Sequence, residues 1–153
     1  MKWLMIGLAV VIGLVVVVAM IGSLLPRDHK ASRTLRVRRT PAEVWPVVTQ
    51  MAGASSVPVV LVESEPPYRL VTRVAETEKN FGGTWTIAIV PVPDPSTASG
   101  QAGSTLTITE DGWVANPIFR FMSRLVIGHH ATMDALLKDV AKTLNEEPAL
   151  SGE

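Results

Sequence analysis

The pattern of apolar and polar positions falls into three regimes along the chain. Residues 3–25 run for 23 positions without a charge. Coiled as a helix, this stretch is roughly 34 Å long at about 1.5 Å per residue, enough to cross a hydrocarbon core of about 30 Å. Pro26 closes it, and residues 27–31 read as a short tether. Over residues 32–39 the pattern becomes alternating. Leu35 and Val37 share one face and Arg36 and Arg38 the other, which predicts a half-buried strand. Thr40-Pro41-Ala42-Glu43 then predicts a helix start: Thr40 as N-cap, Pro41 at the first helical position, Glu43 completing a capping box. Val44, Trp45, Val47, Val48 and Met51 give that helix its apolar face, and Pro46 predicts an irregular first turn.

Strand-like runs follow at residues 57–65, 68–75, 84–92 and 104–111. Pro66-Pro67 suits a turn, and the Pro-, Ser- and Gly-rich residues 93–103 suit a long hairpin loop. Asn116-Pro117 opens the third regime, an N-cap followed by proline. Ile118, Met122, Leu125, Val126, Met133, Leu136, Leu137, Val140 and Leu144 recur at helical spacing and predict one long terminal helix. The expected layout is an anchor at 1–26, a tether at 27–31, a domain at 32–145 and a disordered tail at 146–153. Hairpin-length connections predict an antiparallel sheet with helices on one face, hence an α+β fold.

The apolar leader has three readings: an uncleaved anchor, a cleaved secretory signal, and a fully buried soluble helix, for which 23 apolar residues are too many. A cleaved secretory signal has an apolar core of about 7–15 residues and small residues before the cut. This run is longer and ends in Ile21 and Ser23, or Met20 and Gly22, so an uncleaved single-pass anchor is expected. Charge orients it. Residues 1–40 carry seven basic side chains against Asp28 alone, and the rest of the chain carries seven against thirteen acidic. Arg27, Lys30, Arg33, Arg36, Arg38 and Arg39 crowd the far flank, so the positive-inside rule predicts a cytoplasmic body. An acidic body argues against nucleic acid as a partner. The absence of cysteine excludes disulfides, thiol catalysis and thiolate metal sites.

Five segments in this order resemble the START-like, helix-grip (SRPBCC) superfamily. They are TPAEVW at 40–45, VESEPPYRLVTRV at 62–74, FGGTW at 81–85, LTITEDG at 106–112 and NPIFRF at 116–121. Within it the chain looks like the polyketide-cyclase/dehydrase-type branch, which includes members with an amino-terminal membrane helix. The resemblance implies a bent antiparallel sheet around the terminal helix and a hydrophobic cavity between them. It also implies ligands such as lipids, quinones or polyketides. The chain departs from the pattern between Trp45 and VESEPP, where a second short helix and two more strands are expected. About five strands are then left from seven, and an exposed edge strand needs cover. A cavity in such a sheet is smaller, or open on one side.

Alternation singles out side chains that face the helix: Leu70, Thr72 and Val74; Trp85, Ile87 and Ile89; Leu106, Ile108 and Glu110. Glu110 is the chemical exception, because a buried carboxylate must be paired or protonated. Arg120 and Arg124 are its candidate partners, either as a structural ion pair at the rim or beside a ligand headgroup anchored by Glu110. His129 falls on the sheet-facing side of the terminal helix, as a hydrogen-bonded core residue or as a ligand or acid/base group. Trp85 and Leu106 line or fill the cavity, and Met122 and Met133 serve as packing or as pliable wall. Phe119 and Phe121 are expected in the core, with an entrance or the bilayer as the alternative. The candidate ligand-binding set is Trp85, Leu106, Glu110, Met122 and His129, with no catalytic residue, metal or cofactor expected.

The leading expectation is a membrane-tethered module for a hydrophobic small molecule. A non-catalytic interaction domain that has lost its cavity is the second. A cyclase or dehydratase using Glu110 or His129 is the third.

Overall fold

In a computed structural model, residues 1–54, 57–75, 81–93, 102–128 and 130–152 are described. Helix α1 covers Lys2–Leu24 and is long and apolar enough to cross a membrane; most of its side chains are exposed. Strand β1 covers Asp28–Val37, α2 Pro41–Gly53, β2 Val59–Glu65, β3 Arg69–Val74, β4 Phe81–Pro93 and β5 Ala102–Val114. A short α3 at Pro117–Phe121 passes into a π-helical stretch at Met122–Ile127, and α4 at Ala131–Thr143 and β6 at Ala149–Ser151 complete the order. Among the described residues the strands form a six-stranded sheet in the order β2-β3-β4-β5-β1-β6, and each neighbouring pair is antiparallel. This is the α+β arrangement expected from the alternating runs.

The alternation translates directly into burial. Leu35 and Val37 of β1, Leu70 of β3, Ile87 and Ile89 of β4, and Leu106 and Ile108 of β5 form one core. Val44 and Val48 of α2 and Met133, Leu137, Val140 and Ala141 of α4 complete it. The register stacks Leu35, Leu106 and Ile89 as direct cross-strand neighbours. Helix α2 begins where the sequence places it. The Glu43 carboxylate accepts hydrogen bonds from the Thr40 amide at 2.9 Å and the Thr40 hydroxyl at 2.8 Å. These two bonds, with Arg39 3.6 Å away, hold the Glu43 pKa below the ordinary carboxylate value. The ionised form is therefore favoured by folding. This contribution is present above the unfolded-state pKa and is lost as pH falls through the lowered folded value. Glu43→Gln is expected to lower the thermal midpoint at neutral pH and to converge with the parent in acid, so that the acid limb becomes shallower. An acid limb identical to that of the parent would contradict this.

Three expectations are corrected by the structure. The terminal helix is not continuous: α3 and the π-helical turn end at Gly128, whose φ of +79° an L side chain rarely adopts, and α4 starts afresh at Ala131. The tether at 27–31 is nearly absent, because β1 already starts at Asp28. The tail does not fray throughout. Ala149–Ser151 pair with Arg36, Leu35 and Thr34 of β1, Leu150 packs on the core, and Arg33 donates to the Gly152 carbonyl at 2.7 Å. The expected strand tally of about five is thereby raised to six.

Candidate functional site

The inner face of the sheet is laid out in rows across the strands, and the rows differ in chemistry. One is aliphatic: Leu70, Ile87 and Ile108 stand side by side on β3, β4 and β5. The next brings together Thr72, Trp85 and Glu110, with Ala31 of β1 beyond them. In the row after that, β4 and β5 present Gly83 opposite Gly112, beside His29 on β1. Two glycines in register leave a gap in the sheet's side-chain layer. The ring of His29 leans into it, its Cε1 only 2.7 Å from where a Cβ on Gly112 would stand. At Gly83, φ is +156° and a Cβ would lie 2.7 Å from the Asp111 carbonyl oxygen, so a side chain there meets backbone.

Above these rows lies a cavity of about 450 Å³, partly open to solvent. Its floor is Trp85, Ile87, Thr72, Gly83 and Glu110; Met51 and Ala52 of α2 and Leu136 of α4 wall it, and Val59 and Val74 border the β2 side. The wall is predominantly apolar. Its ionisable members are Glu110 and Asp139, joined by the hydroxyls of Thr72 and Thr132. A volume of this size falls within the range of small-molecule pockets, about 300–1,000 Å³. The hollow forms on the glycine side of the sheet, while the aliphatic side is filled by α2 and α4.

Glu110 is partly buried and lies 3.6 Å from Nε2 of His29. Its partner is therefore neither of the arginines expected from the sequence. Arg120 is only 7% exposed and turns to backbone instead, donating to the carbonyls of Leu25 at 2.9 Å and Ala115 at 2.6 Å. Arg124 is exposed on the π-helical turn. The Glu110 carboxylate, on the floor of the apolar hollow, can accept a hydrogen bond from a ligand headgroup, with His29 3.6 Å behind it on β1. Beside them, Arg33 of β1 and Asp134 of α4 make an ion pair at 3.0 Å that fixes the start of α4 over the sheet.

Of the five candidate residues, Trp85 and Glu110 line the cavity as cross-strand neighbours. Leu106 is fully buried in the solid part of the core, and Met122 is exposed on the π-helical turn, away from the cavity. His129 lies outside the described residues. Phe119, expected in the core, is 53% exposed. Residues 94–101 of the expected hairpin loop also lie outside the described residues. Sequence reasoning missed His29, whose signal was available: His29, Ala31, Arg33, Leu35 and Val37 share one parity. The charges of Asp28 and Lys30 disguised the first part of that strand as tether. Among the described residues no three His, Asp or Glu side chains converge in a metal-binding arrangement.

No family model matches the chain, and no curated protein matches it. A conserved protein from Geobacillus kaustophilus is similar in structure, with a TM-score of 0.55 and 12% sequence identity. The likeness covers 80% of this chain and 99% of that one. It concerns fold alone, and it says that nearly the whole of that protein finds a counterpart in this chain.

Proposed function

We propose that the chain is a membrane-tethered module of the START-like, helix-grip kind that holds a hydrophobic small molecule, such as a lipid, quinone or polyketide-like compound, over the Trp85–Glu110 floor. The observation that supports this reading is the apolar hollow with the Glu110 carboxylate on its floor. Apolar walls supply affinity and a small number of polar groups supply orientation. The anchor gives the module its source: molecules of this class partition into bilayers, and α1 fits one in length and composition. The basic residues following α1 favour a cytoplasmic body.

The test uses the full chain in mild detergent. Native mass spectrometry is expected to find a co-purifying lipid or quinone. Decylubiquinone is expected to quench tryptophan fluorescence saturably. Leu136→Trp, which fills the hollow from α4, is expected to weaken that binding at least about tenfold, a change of about 1.4 kcal/mol. An empty protein whose quenching ignores the filling substitution overturns the reading.

A second reading draws on β2. Val59, Val60, Leu61 and Val62 are all exposed on a strand at the outer edge of the sheet, a surface suited to pairing with another protein strand. It becomes the preferred reading if the hollow proves empty.

A further inference from the structure

The segment after β5 has its polarity reversed relative to a helix in water. Asn116 caps it, its Oδ1 accepting from the amides of Ile118 at 2.9 Å and Phe119 at 3.3 Å. Its one buried charged side chain, Arg120, turns inward, while Ile118, Phe119, Met122, Leu125 and Val126 stand exposed. Leu125 and Val126 are 58% and 60% exposed. Five large apolar side chains on twelve consecutive residues form a patch that a monomer in water rarely leaves open.

The position of this patch identifies what covers it. Helix α3 packs on the end of α1: a Cβ on Gly22 would collide with the Pro117 carbonyl oxygen, so only glycine permits the approach. The shaded positions near the end of α1 are Val18, Ala19, Gly22 and Leu25, which lie on one side of the helix. Val18 to Leu24 rise about 9 Å along the axis, so α3 runs beside the last two turns of the apolar rod rather than beyond it. Trp113, also exposed, stands at this end of the sheet, opposite Asp28 in register. Tryptophan is enriched at membrane boundaries, and the Arg124 side chain is long enough to reach headgroups from an apolar face.

We propose that residues 116–127 form a second membrane contact, lying in the headgroup–acyl boundary beside the anchor without crossing it. This rests on α1 being embedded in the bilayer. The occupant is lipid, because the patch continues the apolar surface of the rod and shares its level. The contact fixes the tilt of the sheet relative to the membrane, which a single spanning helix leaves undetermined.

The absence of cysteine makes the test clean. Phe119→Cys, Leu125→Cys, Val11→Cys and Lys142→Cys are labelled singly with a polarity-sensitive NBD fluorophore. The full chain is then reconstituted in phosphatidylcholine–phosphatidylglycerol vesicles. Labels at 119 and 125 are expected to shift to the blue and to be quenched by spin-labelled lipids at a depth of about 5–10 Å below the headgroups. The label at 11 is expected near the bilayer centre, and that at 142 to respond to aqueous iodide alone. If 11 is deep while 119 and 125 respond to iodide, the second contact is overturned and the anchor stands. If 11 itself responds to iodide, the anchor reading fails and takes the proposal with it. Labels at 119 and 125 shielded from both quenchers mean that protein covers the patch, which also overturns it.

Discussion

Leu106→Ala is expected to destabilise the domain by about 2–5 kcal/mol, toward the upper end of the range for buried leucines. Leu106 is fully buried and has Leu35 and Ile89 as direct cross-strand neighbours, with α2 and α4 contributing to the same core. A sheet hydrogen-bonded on both sides cannot collapse into the vacated volume, so both the transfer and the cavity penalties apply. For a domain whose total stability is about 5–15 kcal/mol, that is a large share. Urea denaturation of the full chain in mild detergent, followed by circular dichroism, measures it. A change below about 1 kcal/mol would mean that the side chain packs less tightly than its burial implies, and would restore it as a candidate for ligand contact.

The second large effect is expected at the junction of α1 and the sheet domain. Arg120→Met keeps much of the side chain's volume and removes the donors to the Leu25 and Ala115 carbonyls. Buried polar groups left without partners cost about 1–3 kcal/mol each, and the gain from no longer burying a charge offsets part of this. The expected loss is about 2–4 kcal/mol, read as a lower thermal midpoint. Faster hydrogen exchange is expected at residues 115–121, with α4 less affected. Arg120→Lys is expected to recover only part of the loss, since an ammonium lacks the planar fork that addresses two carbonyls at once. An unchanged midpoint with unchanged exchange would show that Arg120 does not join the two parts.

Much of the sheet was legible because its alternation is regular. Leu35 with Val37, Ile87 with Ile89, and Leu106 with Ile108 each occupy alternate positions, and each pair is buried together. The Thr40–Glu43 cap was legible for a similar reason: its determinants lie within four residues. The features that escaped depend on distant or weak signals. The apolar stripe from Ile118 to Leu144 continues through Gly128, and periodicity alone does not register a backbone that turns at one glycine. Strand β6 is three residues long and gains its structure from β1, more than a hundred positions earlier. Glu110 was recognisable as an anomaly. Its neighbour His29 was hidden because the proximity arises from strand register, not from sequence distance.

Only Leu25, Pro26 and Arg27 separate α1 from β1, and this short joint is pinned twice. The Leu25 carbonyl accepts from Arg120, and the Arg27 carbonyl accepts from the Val114 amide at 2.9 Å. The body is thus geared to its rod instead of dangling from a leash. Rotation of the rod about its own long direction turns the whole body like a weathervane. With α1 spanning a bilayer, as proposed, two copies in one membrane would meet at a common height, and the angle of approach alone would select which flanks collide.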